Sequence, residues 1–272
     1  IKSRASLAEG DWDGAFKAAK RVIDEGGYAV GTKSDLTGGM NSLDKQNVMW
    51  GAGIQVADQA GGYAGFFTHM DNKEGAYAKS APKLISKQLY NRISATDIRR
   101  DWWDPSDKES PYVSKKFSFA NVASFLGDYI YMRVEEMYFT AAEAALRLDD
   151  LKSARELMNT VMAERDPGYS ANNRSGTLLG ATTTTWTGSF LENILTHRRI
   201  ELWGEYGRLF DVRRLGQGID RRTDDGFSEE CISMMNRRNV NITKADTYDW
   251  VLTIPKAELD ANPNINEEDQ NP

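Results

Sequence analysis

Thiols and imidazoles are scarce in this chain. Its 272 residues include one cysteine, Cys231, and two histidines, His69 and His197. That excludes an intramolecular disulfide framework and any zinc site assembled from Cys and His clusters. No stretch approaches the ~18 apolar residues that a membrane-spanning helix needs. Excess positive charge is missing as well. Lys+Arg 34 against Asp+Glu 40 gives −6, the wrong sign for broad phosphate neutralisation, so no nucleic-acid partner is expected. There is no phosphate-cradling glycine loop, no dinucleotide fingerprint and no heptad repeat, and no cofactor is expected. What is present, 40% hydrophobic and 27% charged residues, is the make-up of an ordinary globular chain. Its length suffices to bury roughly 70% of the unfolded surface without staples.

Helical periodicity is the strongest positive signal. From Ser6 to Glu25, the residues Leu7, Ala8, Trp12, Ala15, Ala18, Ala19, Val22 and Ile23 recur at steps of three and four, which puts them on one helical face. Gly10-Asp11 breaks the run and predicts the turn of a hairpin over 6–25, with Asp11 as cap of the second helix. A second block covers 130–164, with Val134, Met137, Tyr138, Ala141, Ala145 and Leu148 on one helix and Ala154, Leu157, Met158 and Val161 on the next. A shift of 139 positions lays Asp11 on Asp150, Ala15 on Ala154 and Val22 on Val161. Small residues at such positions let a neighbouring helix approach closely. The expected fold is mainly α, with tetratricopeptide-like helical hairpins, long irregular loops and a few short strands, in a single domain over 1–272.

Other segments have a different character. The insert 29–128 is rich in Gly, Asn, Asp and Ser, with short apolar runs such as Val48-Met49-Trp50 that allow one or two strands. Ser86–Arg99 is read as a further helix. A loop over 167–189 carries the run Thr182–Thr185, a helix is expected at 190–206, and a C-terminal segment at 207–272 includes a short strand over Trp250–Ile254. The chain opens Ile1-Lys2-Ser3-Arg4 without an initiator methionine and reads as though it starts inside a helix, so a longer parent protein is expected.

Three stretches carry a family resemblance. Arg133–Ala144, then His197-Arg198-Arg199-Ile200-Glu201-Leu202-Trp203-Gly204-Glu205-Tyr206-Gly207-Arg208-Leu209-Phe210-Asp211, then Ile254-Pro255-Lys256 with Asn262-Pro263 resemble, in that order, segments of the SusD/RagB lipoproteins. Leu89-Tyr90 with Asp97-Ile98-Arg99-Arg100 resembles a fourth. His197 departs from the pattern, standing where the family usually has an acidic residue. The resemblance covers nearly all of this chain but only the C-terminal portion of a typical member. It implies a binding protein and not an enzyme, held at the cell surface on the outer membrane by an N-terminal lipid anchor absent from this chain. It also implies oligosaccharide (in some members peptide) capture, and delivery to a SusC-like TonB-dependent transporter.

Candidate residues follow from chemistry. A sugar ring offers an apolar C–H face that stacks on aromatic rings, with polar groups taking its hydroxyls. Trp102 and Trp103 stand side by side in a segment that no helical pattern demands, so at least one ring is expected to be exposed. Tyr63 and Phe66 sit in a glycine-rich stretch, and Trp186 follows the threonine run. These five are the expected ligand contacts. Glu201 and Glu205 share a helical face, with Arg198 and Arg208 in reach and Asp211 nearby. Arginines there would keep the acids ionised, whereas a glycoside hydrolase needs a protonated one. This group is therefore read as a structural ion-pair network, with hydrolysis as a rival. A second rival is a helical adaptor that binds peptides on the hairpin face around Ala15 and Ala154. His69 near Asp71 lacks a nucleophile motif, and Asp220, Asp224 and Asp225 fit no calcium-loop spacing, so neither marks a site.

Overall fold

The computed structural model describes residues 1–58, 65–172, 188–205, 207–217 and 253–270. Helix α1 (Lys2–Glu9) ends at Gly10, whose φ of 79° makes a left-handed turn. Asp11 then caps α2 (Trp12–Glu25) by accepting from the Gly14 N–H at 2.9 Å. The insert contains short pieces only: α3 (Lys33–Thr37), β1 (Val48–Ala52), α4 (Phe66–Met70), α5 (Ala76–Ser80) and α6 (Lys87–Tyr90). A 3-10 turn at Ile98–Trp102 runs into β2 (Trp103–Asp104), followed by β3 (Val113–Ser114) and β4 (Tyr129–Arg133). The long helices then resume as α7 (Val134–Arg147), α8 (Leu151–Ala163) and α9 (Phe190–Glu201), with the shorter α10 at Arg208–Arg214. Asp150 caps α8 as Asp11 caps α2, accepting from Ser153 N–H at 3.0 Å.

Helix α7 is the centre of the helical part: α2, α8 and α9 all pack against it. Its apolar residues Ala141, Ala142 and Ala145 face Ala19 and Ala154 in one buried cluster, with Phe139, Met158 and Val161. A second cluster lies under the insert and is built from rings, among them Phe67, Trp102, Trp103, Phe117 and Phe119.

The fold is mainly helical, with two small antiparallel sheets among the described residues, β1–β4 and β2–β3. It also corrects several expectations. The helix expected from Ile130 begins at Val134, because Tyr129–Arg133 pairs with β1 in the register Val48↔Arg133, Trp50↔Met132 and Ala52↔Tyr129. Ser86–Arg99 is not one helix. Helix α6 ends at Tyr90, and a separate 3-10 turn starts at Ile98, where Asp97 accepts from the Arg99 N–H at 2.9 Å. Helix α9 stops at Glu201, short of 206. Thr182–Thr185 and most of the strand expected at Trp250–Ile254 lie outside the described residues.

Candidate functional site

The junctions of these elements place an unusual number of charges indoors. Arg133 ends β4, Glu135 opens α7, Arg165 follows α8 and Glu201 closes α9; all four are at most 1% exposed. Arg165 donates to both Glu201 oxygens at 3.0 Å and to Glu135 Oε1 at 2.9 Å. Arg133 donates to Glu201 Oε1 at 3.0 Å and reaches Glu205 through Nε and Nη2, each at 2.8 Å. Arg99 joins from the insert, bridging Asp97 at 2.6 Å and Glu201 at 3.1 Å. Lys116 completes the group with its ammonium on Glu205 and on the carbonyls of Glu201 and Trp203. Four cations thus meet four carboxylates, so the cluster is neutral, as buried charges must be to stay ionised.

Burial alone would push the Glu201 carboxyl up, but Arg165, Arg133 and Arg99 hold it well below the usual carboxylate range. Glu205 is likewise lowered against its burial by Arg133 and Lys116. Burial pushes the Lys116 amine down to about 8, although Glu205 opposes this. Within the cluster His197 is an acceptor: Arg99 Nη2 lies 2.8 Å from its Nδ1, and a guanidinium has only donors to give.

The partners of Glu201 and Glu205 are not the arginines expected from helical spacing. Arg198 turns the other way, to Asp211 at 3.0 Å and Glu136 at 3.6 Å. Arg214 shares that Asp211 at 2.8 Å. Arg208 donates to Gln217 at 3.2 Å and forms no ion pair among the described residues. One helical turn separates the two acids along the chain, yet charges from β4, the 165 turn and the insert reach them first.

Trp102 and Trp103 are not surface rings. They are 3% and 1% exposed, which overturns the expectation that one would face solvent. Trp102 sits at the end of a 3-10 turn and donates to the Leu36 carbonyl at 3.0 Å. Trp103 begins a β-bridge and meets Trp203 edge-to-face at 5.7 Å. The change of backbone type between the two residues lets both rings turn inward. Trp102 also carries Lys116 Nζ 4.5 Å above its ring. Tyr63 and Trp186 lie outside the described residues. Phe66 is half-buried, edge-to-face with Phe117 at 5.2 Å, and lines a cavity.

That cavity, about 450 Å³, is walled by Phe66 and by four rings outside the expected contact set. Trp50 of β1 and Tyr131 of β4 stand at it 50% and 41% exposed, edge-to-face at 5.1 Å. Tyr129, Phe66 and Phe117 form the deeper wall, with Arg4 and Glu205 as charged groups. Arg4 donates to the Tyr131 carbonyl at 2.8 Å and to both Glu136 oxygens at 2.6–2.7 Å, so α1 fixes the strand that presents the ring. Gly204, at φ 74°, also lines the cavity; a Cβ there would fall 2.5 Å from the Phe117 ring. A signal for Trp50 and Tyr131 does exist. Tyr129-Ile130-Tyr131-Met132 alternates aromatic and aliphatic residues with the period of a strand.

This scaffold and its cavity can be set beside known proteins. The SusD family profile (SusD_RagB) matches residues 104–272, and the chain belongs to the SusD family. No curated protein is significantly similar in sequence. Among solved structures, a SusD-like carbohydrate binding protein from Bacteroides vulgatus is 27% identical, with a TM-score of 0.65 over 81% of this chain and 45% of that one. A SusD superfamily protein from Bacteroides thetaiotaomicron is 23% identical, with a TM-score of 0.74 over 99% of this chain and 58% of that one. Surface glycan-binding protein A from Bacteroides uniformis is 17% identical, with a TM-score of 0.64 over 99% and 59%. The chain spans about half the length of the solved structures it matches.

Proposed function

We propose that this chain is part of a cell-surface carbohydrate-binding protein that captures oligosaccharides without cleaving them. On the outer membrane, held by a lipid anchor, that protein passes them to a SusC-like TonB-dependent transporter. The observation that carries the binding reading is the Trp50–Tyr131 pair, two half-exposed rings inclined at 67° on the lip of an aromatic cavity. One ring offers a face to a sugar's C–H side while the other closes the edge. Phe66 is the member of the expected contact set that lines this cavity. Family membership supports the transporter and the location, and the solved relative described as a carbohydrate binding protein supports the ligand class.

Capture is favoured over hydrolysis by the state of the acids. Glu201 has both oxygens on guanidinium groups and Glu205 has both on cations. Neither has a spare proton to give, which a general acid requires. The adaptor reading loses its surface, since Ala15 and Ala154 are both 0% exposed. The test is tryptophan fluorescence and calorimetry against a panel of oligosaccharides, with product analysis. Saturable quenching without product is expected, and Trp50→Ala should weaken binding roughly tenfold, about 1.4 kcal/mol. Release of shorter sugars, or binding untouched by both Trp50→Ala and Tyr131→Ala, refutes the reading.

A further inference from the structure

Trp50 stands at two hollows, not one. Beside the aromatic cavity lies an open groove of about 580 Å³ at the C-terminal end of α2, and Trp50 lines both. Two further elements pass from one hollow to the other. Tyr131 of β4 belongs to the cavity and Met132, the next residue, to the groove. Arg4 of α1 belongs to the cavity and Ile1, at the cap of that helix, to the groove. Three residues of helix advance only about 4.5 Å. The hollows are therefore neighbours across one half-exposed indole, and the groove adds Tyr28 and Met49, both partly buried.

Size and charge restrict the guest. Each hollow falls in the ~300–1,000 Å³ range of a site for one small ligand, so a single sugar ring occupies at most one of them. A guest that fills both must continue past Trp50, as a chain of several rings does. The charged side chains that line the two hollows already have counter-charges. Arg4 is held by Glu136 at 2.6 Å, and Glu205 by Arg133 at 2.8 Å and by Lys116. Arg21 and Glu25 pair with one another at 3.0 Å. None of these four is left to call for an ionic guest. What the walls offer is apolar, with Trp50, Tyr131 and Phe66 at the cavity and Val22, Tyr28 and Met49 at the groove. Such walls suit the C–H faces of neutral sugars.

We propose that cavity and groove are two subsites of one continuous site for a neutral oligosaccharide, whose units lie on either side of Trp50. The inference rests on the carbohydrate-binding reading and adds to it the length and charge of the guest. A covalent link between units makes binding in the second hollow intramolecular, so affinity should climb with length. The test is calorimetry with cello-, malto-, xylo- and manno-oligosaccharides, each as disaccharide and hexasaccharide, and with hexagalacturonate as the anionic counterpart. In the series that binds, the hexasaccharide should bind at least about tenfold more tightly than the disaccharide. Tyr28→Ala and Glu25→Trp change the groove and leave the cavity lining alone. The Glu25 side chain is 67% exposed, so a bulky ring there narrows the groove without entering the core and serves even where Tyr28→Ala does not fold. Each variant should bring the hexasaccharide down towards the disaccharide and leave the disaccharide unchanged. That loss separates a second subsite from the statistical advantage of a long sugar with many starting points, which both variants retain. Equal affinity for the two lengths, a length gain that survives the variants, or hexagalacturonate bound more tightly than every neutral hexasaccharide overturns the inference and leaves Trp50-dependent capture standing. A protein that binds none of these sugars loses both.

Discussion

Alanines stand among the aliphatic residues of one interior of this molecule, whereas aromatic rings are prominent in the other. Around α7 the contacts are made by Ala19, Ala141, Ala142, Ala145 and Ala154, each 1% exposed or less. Regular helices can close to 8–10 Å when their facing side chains are small. Among the described residues of the insert no helix exceeds five residues, so they offer no long face to be pressed against another. The gaps between irregular segments are spanned by Phe67, Trp102, Trp103, Phe117 and Phe119. Order in the backbone lets small side chains stand at the helix contacts while Phe139, Met158 and Phe190 fill the space beside them; where that order is missing, more of the volume comes from rings. The neutral charge cluster lies where the two interiors meet, with Arg99 and Lys116 from the insert and Arg133, Arg165 and Glu201 from the helical side.

This contrast can be broken at four places. The largest effect is expected at the seam. Glu201→Ala leaves three guanidinium groups without their shared acceptor and should cost about 3–5 kcal/mol in urea unfolding; a loss below about 1 kcal/mol would mean the cluster holds nothing together. Next, the two interiors should fail in opposite ways. Trp103→Ala empties its interior, at about 3 kcal/mol or more. Ala142→Leu overfills the other, at roughly 1–3 kcal/mol. Equal tolerance of both changes would erase the distinction.

The third effect depends on pH. Glu201 and Glu205 stay ionised in the folded chain below their ordinary value of 4.5. Their contribution is full above that pH and is lost as pH falls through their lowered range, because the unfolded chain takes up the protons first. Lys116 acts on the alkaline side with the opposite shift. Its ordinary value is 10.5 and its folded value about 8. Between those values the unfolded chain binds the extra proton, so stability should rise with pH, by at most about 3 kcal/mol. Melting curves from pH 8 to 10 should show that rise in the native chain and not in Lys116→Met. The smallest effect belongs to Trp50→Ala. Its ring is half exposed, so thermal unfolding should move by only about 0.5 kcal/mol while sugar binding falls; a loss of several kcal/mol would make Trp50 a structural ring.

The two interiors were not equally legible in the sequence. The helical one announces itself: steps of three and four run through Ala15, Ala19 and Val22, and again through Ala154, Met158 and Val161. Asp11 and Asp150 mark the caps. The ring-filled one has no period to read. Adjacent bulky residues such as Trp102 and Trp103 look as though one must face water, and only the switch from 3-10 turn to β-bridge allows both inside. The candidate site was less legible still. Trp50 and Tyr131 stand 81 positions apart in the sequence, on strands paired by a sheet that helical periodicity beyond Val134 obscured. The acids at Glu201 and Glu205 were visible as a pair, but their cations come from positions 99, 116, 133 and 165, which no local spacing connects.

The sealed charge cluster also separates what electrolyte can reach from what it cannot. Mobile ions screen exposed charges within roughly 10 Å at 0.1 M and act far less on groups shut away from solvent. Arg99, Arg133, Arg165 and Glu201 have fully covered side chains, whereas Lys33 lies open to water. Brackish and dilute surroundings should therefore leave the frame equally firm while loosening only surface pairs such as Lys17–Asp13.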